Sequence, residues 1–409
     1  MGQSFSERKI SRMLKKIPVF EKAHISIHIE SIDISRPNAS FQEEHYMTPA
    51  SNIKLFTFLA SLQNFDSLPS LYYHYEKDSI IHFKSTGYPL LFHPLYPDSL
   101  LGSFFEQNKS WYYHKPKRKI NSFGPGWSWD DYSFYFAAEI SPFPIFGNTV
   151  KIFGDPEEPR ITPEFFKKSL KPSSLVDNFR REKTQNIFSF NSKNLNGKDT
   201  IFRPFITSDS LFVKLLNDKI KNSVKIASTT TSNIPWKVLY TKNENLLYKA
   251  LLSDSDNGIA ESLLVMLSQK KFDEMNIERI INALKQSWSS WLVDPIEWVD
   301  GSGVSRYNMV TTRSITAVLK KIYNSIGWEK IKTYFPESKV SGTLKMYSLK
   351  NVFAKTGTLR HNYNLSGYFI GNQGNTYVFS IMVNHFTLPK SDAIIGISEL
   401  IKKFQKKLK

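Results

Sequence analysis

The 409 residues include no cysteine. Thiol nucleophiles, thiolate metal sites and disulfides are therefore excluded. Acidic residues are in short supply: 37 Asp and Glu stand against 54 Lys and Arg, leaving a net charge of +17. No apolar run approaches the roughly 18 residues of a membrane-spanning helix. The first residues, Met1-Gly2-Gln3-Ser4-Phe5-Ser6, lack the apolar centre of an export signal. The nine histidines are scattered. His24 and His28 are the nearest pair, in an alternating stretch that reads as a strand. There they lie about 13 Å apart, too far to share a metal. No cofactor or metal is expected.

What is present is a globular composition, 41% hydrophobic and 22% charged, in a chain long enough for two or more domains. The positive charge favours anionic partners. It concentrates at residues 8–16 and 402–409, which read as amphipathic helices with basic outer faces. Peripheral contact with an anionic membrane surface is the expectation these ends carry. No zinc-finger, RNA-recognition or helix-turn-helix pattern accompanies them, so no nucleic acid is expected.

Along the chain, residues 4–23 read as a helix and 25–34 as a strand. A buried helix begins near Ser51. From about 67 to 238, short aromatic and β-branched runs alternate with Pro, Gly, Asn and Asp clusters, a β-rich texture with one helix near 208–219. Helical texture returns over 244–287 and 311–326. Residues 352–359, 364–370 and 376–384 read as an antiparallel meander, and a helix over 392–408 can cover one of its faces. The fold class is α/β and multi-domain. A split domain, 1–66 with 239–409, carries an antiparallel sheet flanked by helices, and a β-rich domain, 67–238, is inserted in it.

Pro49-Ala50-Ser51-Asn52-Ile53-Lys54 opens the buried helix. Spacing of i and i+3 puts Ser51 and Lys54 on one face. Serine needs a neighbouring base to act as a nucleophile, and a lysine with a depressed pKa can be that base. The same spacing recurs at Ser6–Lys9 and Ser268–Lys271, so the pair alone decides nothing. Two later motifs decide it: Ser255-Asp256-Asn257 before a helix, and Lys355-Thr356-Gly357-Thr358 in a strand. Ser-x-Asn is weak alone, since Ser192-Lys193-Asn194 also fits. The ordered trio is the signature of class A β-lactamases and penicillin-binding proteins.

With these motifs the chain resembles a penicillin-binding protein of the D-Ala-D-Ala carboxypeptidase/endopeptidase family, the low-molecular-mass class C type. The resemblance spans residues 49–358 and adds Gly124-Pro-Gly-Trp-Ser-Trp-Asp-Asp131 and Asp300-Gly-Ser-Gly-Val-Ser-Arg306 with Asn308. It implies a penicillin-binding/β-lactamase-like domain and a serine hydrolase that acts on peptidoglycan stem peptides and is trapped by β-lactams. Ser51 attacks the carbonyl and Lys54 serves as base, with Lys355 as the nearby cation. Ser255 relays a proton to the leaving amine. The amide of Asn257 binds the substrate backbone and Lys54. The oxyanion lies between the backbone N–H groups of Ser51 and Thr358. Thr356 and Thr358 hold the terminal carboxylate, and Gly357 lets the strand approach the substrate.

The resemblance also implies a pocket for the zwitterionic end of a diaminopimelate side chain. Asp131 corresponds to its acidic residue, Phe136 to an aromatic beside it and Arg306 to its arginine. Arg360 departs from the pattern: a relative carries glutamine there, and a second cation tightens carboxylate binding or alters the preferred peptide. Trp127 and Trp129 read as core, and Ser302 as a turn residue. Two alternatives share the motifs: a β-lactamase, and a non-catalytic β-lactam or cell-wall binder. The inserted segment and the Gly-Trp-x-Trp-Asp-Asp element argue against the first, and the complete motifs against the second. Peptidoglycan lies outside the inner membrane, so a periplasmic or cell-envelope location is expected, with an export signal removed from this chain.

Overall fold

The computed structural model describes residues 5–33, 37–194, 197, 198, 200–228 and 234–408. Its contacts separate into two compact units. One comprises Met1–Asn64, Tyr248–Asp256 and Ile281–Lys409, the other Phe65–Leu247 and Asn257–Ile280.

The first unit holds helix α1 (Glu7–Leu14), strands β1 (His24–Ser31) and β2 (Pro37–Phe41), and helices α2 (Lys54–Asn64) and α3 (Thr312–Tyr334). Strands β3 (Val352–Leu359), β4 (Asn362–Ile370) and β5 (Thr376–Asn384) and helix α4 (Lys390–Lys407) complete it. One antiparallel sheet runs in the order β3-β4-β5-β1-β2. The expected meander and its covering helix are both present. A strand's side chains alternate between faces, and here both faces are buried. Ile25, Ile27 and Ile29 join Ile10 and Leu14 of α1 and Ile397 and Leu400 of α4 in one core. The intervening residues meet α3: Ser26 Oγ lies 2.7 Å from Thr312 Oγ1, and His28 Nδ1 2.7 Å from Thr316 Oγ1. Burial, then Arg313 and Lys320, pushes the pKa of His28 down to about 4, so the ring is neutral. The polar positions of β1 thus face a second helical layer.

The expected helix over 4–23 is cut short. α1 ends at Leu14, and Pro18–Phe20 forms a separate 3-10 turn, because proline cannot continue a helix from within. Ser4 and Ile34, the outer ends of two expected elements, lie outside the described residues. α3 runs eight residues past the expected end at 326, through a break at Gly327 with φ 72°.

The second unit carries a five-stranded sheet in the order Val224–Ile226, Ser110–His114, Ile80–Ser85, Pro69–Lys77, Lys237–Tyr240, and two three-stranded sheets. The expected helix is found at Asp209–Ile220. A second one, Ser99–Phe105, departs from the all-strand reading of its surroundings. Asp98 caps it by accepting from the Leu101 N–H at 3.1 Å. Residues 67–238 all fall in this unit. Residues 65–66, 239–247 and 257–280, which the sequence reading gives to the split domain, cluster here too. Their helix Asn257–Phe272 is buried from Ile259 to Gln269, so it is a core element with no solvent face. Val265 and Met275 pack with Ile140 of this unit.

Candidate active site

Ser51 lies on a 3-10 turn, Ala50–Ile53, immediately before α2. The sequence reading has it on the helix itself. The difference sharpens the pairing, since residues i and i+3 eclipse in a 3-10 turn. Lys54, the first residue of α2, places Nζ 3.0 Å from Ser51 Oγ. It is 0% exposed and donates to the Ser302 carbonyl at 2.6 Å. A neutral amine has two hydrogens and one lone pair. With one hydrogen on the Ser302 carbonyl, an amine at this distance is chemically able to accept a proton from the Ser51 hydroxyl.

The loop that presents Ser302 is held at several points. Asp300, 1% exposed, accepts from Gly303 N (2.9 Å), Ser305 N (2.7 Å) and Asn308 Nδ2 (2.7 Å). Thr57 Oγ1 of α2 donates to the Gly301 carbonyl at 2.8 Å. Gly303 has φ +82°, and a Cβ there would lie 2.0 Å from the Ala50 carbonyl oxygen. Only glycine lets the loop press this closely on the nucleophile's turn. The serine hydroxyl of Ser302 itself serves the turn, as read, accepting from Val304 N at 3.4 Å.

Strand β3 supplies the second lysine. Lys355 is 0% exposed and donates to Ser255 Oγ at 2.8 Å and to the Thr356 carbonyl at 2.9 Å. Burial, then the charge of Lys54, holds its pKa well below the ordinary lysine range, with Asp254 pulling the other way. Thr356 is 6% exposed, while Thr358 is open to solvent. A Cβ on Gly357 would lie 2.4 Å from the Pro49 carbonyl oxygen and 3.1 Å from Asn52 N. The reading of Gly357 as room for substrate is therefore incomplete: the strand's close approach is to the nucleophile turn.

Asparagines brace that turn. Asn364 Nδ2 of β4 donates to the Thr48 and Pro49 carbonyls at 2.9 Å, and Asn384 Oδ1 of β5 accepts from Thr48 N at 2.8 Å. Asn52 Nδ2 donates to Ser366 Oγ at 2.7 Å. The residue beside Ser51 and Ser255 itself are conformationally forced: Ala50 has φ 49° and Ser255 φ 63°. Non-glycine residues avoid this left-handed region, and such strain concentrates at functional sites.

The first unit thus brings together Ser51, Lys54, Ser255, Lys355, Thr356 and Gly357. Arg306 and Arg360 are also on it and are exposed, with Arg306 Nη2 3.4 Å from the Arg360 carbonyl. Neither is in an ion pair among the described residues. Asn257, Asp131 and Phe136 belong to the second unit, where Asn257 Nδ2 donates to the Phe136 carbonyl at 2.7 Å. Trp129 overturns its core reading: it is 73% exposed, with the Lys183 ammonium 4.9 Å from its ring centre. Its place in a polar 3-10 turn, Trp129–Ser133, turns the ring outward. Trp127 is half-buried against the Ile140–Val265–Met275 cluster.

A model of the "D-Ala-D-Ala carboxypeptidase 3 (S13) family" matches residues 119–403. A D-alanyl-D-alanine carboxypeptidase DacB from Haemophilus influenzae is 28% identical over 152 residues, 34% of this chain and 32% of that protein. A penicillin-sensitive carboxypeptidase A from Dictyostelium discoideum is 31% identical over 115 residues, 25% of this chain and 22% of that one. The matched stretches thus span a third or less of these curated relatives. The fold comparison is more extensive. Penicillin-binding protein 4 (dacB) of H. influenzae superposes with a TM-score of 0.77 at 18% identity, over 97% of this chain and 99% of that one.

Proposed function

Because the chain belongs to the D-Ala-D-Ala carboxypeptidase 3 (S13) family, we propose that it is a serine DD-peptidase. It hydrolyses the D-Ala-D-Ala bond of peptidoglycan stem peptides, the D-Ala-diaminopimelate cross-link, or both. The observation that carries this reading is Lys54 Nζ at 3.0 Å from Ser51 Oγ, with the same nitrogen anchored on the Ser302 carbonyl.

That geometry supports the following proton path. Ser51 Oγ adds to the substrate carbonyl and passes its proton to the neutral amine of Lys54. The oxyanion is met by the backbone N–H groups of Ser51 and Thr358. Ser255, held by Lys355 at 2.8 Å, delivers a proton to the departing amine nitrogen, and the C–N bond breaks. An ester on Ser51 remains. Ser255 regains its proton from Lys54, which leaves that amine neutral again. Water then adds to the ester carbonyl and loses a proton to Lys54, which returns it to Ser51 Oγ as the C–O bond breaks and the acid is released. Lys355, Thr356 and Thr358 receive the substrate's terminal carboxylate. Asn257, Asp131, Phe136 and Arg306 keep the substrate-binding roles that the family pattern implies, with Arg360 as a further cation. The H. influenzae protein has also been crystallised with a β-lactam, which supports β-lactams as acylating inhibitors of Ser51 here.

No helix among the described residues is long and apolar enough to cross a membrane. The substrate puts the working location in the periplasm or cell envelope.

Labelling with a fluorescent penicillin tests the assignment. Wild type forms a long-lived adduct and Ser51→Ala forms none. Equal labelling of the variant removes Ser51 from its role, and an adduct lost within seconds makes the protein a β-lactamase. Digestion of purified peptidoglycan, read by mass spectrometry, separates D-alanine release from cross-link cleavage. Labelled protein that yields neither product refutes the substrate.

A further inference from the structure

We infer that α1 and α4 form one basic layer that docks on an anionic lipid bilayer. The two helices are far apart in sequence, yet they cover the same face of the first unit's sheet and share its core. The rings of Phe5 and Phe404 meet edge to face at 5.1 Å. Gly396 of α4 sits so close to the segment after α1 that a Cβ there would lie 2.8 Å from both Ile17 Cγ2 and Phe20 Cζ.

With their apolar sides turned inward, the outward sides are basic. Arg8 and Arg12 of α1 and Lys15 at its C-cap follow the four-then-three spacing of one helical stripe, and all three are exposed. On α4, Lys402, Lys406 and Lys407 are exposed. The acidic residues of the layer do not balance them: Glu399 already has Lys403 at 3.8 Å, and the other acids, Glu7, Glu21 and Asp392, are fewer than the cations.

One apolar side chain decides the kind of partner. Ile395 is 58% exposed and lies on the same stripe as Lys402, seven residues on. Asp392 and Glu399 are its neighbours one turn away, and Lys402 begins the basic end of the same stripe, so the helix offers apolar surface next to cations, which a soluble polyanion does not use. A bilayer interface takes both, phosphates against the cations and the alkyl group at the acyl boundary. None of these residues belongs to the Ser51 site, so the inference stands apart from the peptidase reading.

Sedimentation of the full chain with lipid vesicles tests it. At about 0.1 M salt, wild type should pellet with vesicles of phosphatidylglycerol and phosphatidylcholine, and stay in solution with phosphatidylcholine alone. Arg8→Gln/Arg12→Gln/Lys15→Gln and Lys402→Gln/Lys406→Gln/Lys407→Gln should each weaken binding at least ten-fold. At roughly five-fold per basic residue, the combined variant should lose it. Glutamine keeps helix propensity, and penicillin labelling of each variant reports that the fold is intact. If the combined variant does not fold, the two triple variants and release of wild type by about 0.5 M salt carry the test. Absence of wild-type binding to anionic vesicles, equal binding to neutral ones, or unchanged binding by the triple variants overturns the inference. Retention on purified peptidoglycan sacculi that the same substitutions abolish, without vesicle binding, assigns the layer to the wall and also overturns it.

Discussion

Lys355 is held below its ordinary pKa by burial and, after that, by the charge of Lys54. Two ammonium groups in one dry site repel, and the fold tolerates the pair most easily when one proton is missing. The unfolded chain, with lysine near its ordinary value, binds more protons than the native state. Stability from this group therefore rises with pH, from the depressed native value up to the unfolded one. Replacing it by the neutral Lys355→Met should stabilise the fold most at the acidic end of that window. The advantage should shrink by up to about 1.4 kcal/mol per pH unit as pH rises. Urea unfolding of both proteins between pH 6 and 9 (roughly, the range below ordinary lysine titration) measures it. A difference that does not change with pH would mean Lys355 keeps its proton throughout.

Gly303→Ala brings a methyl group to 2.0 Å from the Ala50 carbonyl, at a φ of +82°. Either the loop or the nucleophile turn must move. We expect a loss of about 2–3 kcal/mol in stability and roughly a hundred-fold slower penicillin acylation, since displacements near 1 Å are that costly at a reacting centre. Thermal melts and stopped-flow acylation read the two effects separately, and a wild-type acylation rate would show that the loop does not position the pair.

The sheet braces the nucleophile turn through Asn364, whose side chain meets the Thr48 and Pro49 carbonyls and also accepts from Asn384 Nδ2 at 3.1 Å. Asn364→Ala leaves those buried groups short of partners. A destabilisation of about 2–3 kcal/mol follows, with slower acylation in the folded fraction. Denaturant titration combined with labelling kinetics checks both, and loss of stability at an unchanged rate would limit Asn364 to a structural role.

Arg306 and Arg360 are exposed guanidiniums without a carboxylate partner among the described residues. For stem peptides with a free side-chain carboxylate, Arg306→Gln should raise KM about ten-fold or more, the worth of a charge-assisted hydrogen bond. Arg360→Gln should have a smaller effect. Amidated peptides should respond little to either change. Steady-state kinetics on matched free and amidated peptides decide it: equal losses on both would remove the arginines from side-chain recognition.

What could be read in advance divides along a physical line. Ser51, Lys54, Ser255 and Lys355 are legible because their chemistry resides in side chains at characteristic spacings. The Ser302 carbonyl that anchors Lys54 is not, since every residue carries a carbonyl and only the loop's path selects this one. Asp300, Gly303 and Asn364 stand in recognisable stretches, but the spacing does not reveal whether they bind substrate or hold the backbone. Strand and helix texture predicted the meander well. It missed Ser99–Phe105, where an N-cap aspartate outweighs aromatic content, and it gave the Asn257–Phe272 helix to the split domain, whereas the helix clusters with the other unit. That choice is made by packing around the whole helix.

The pairing of β1 with β5 matches His24 to Asn384 and Ser31 to Tyr377. These partners are separated by most of the chain, and contacts this distant in sequence form slowly. During synthesis β1 emerges early and waits, with one edge unpaired, for the strand that will close the sheet. Lys355 and the asparagine braces arrive with that same late segment. Incomplete chains therefore hold Ser51 and Lys54 without the second lysine and without the asparagines that brace their turn, and hydrolytic competence is gained in a single late step, with the completed sheet.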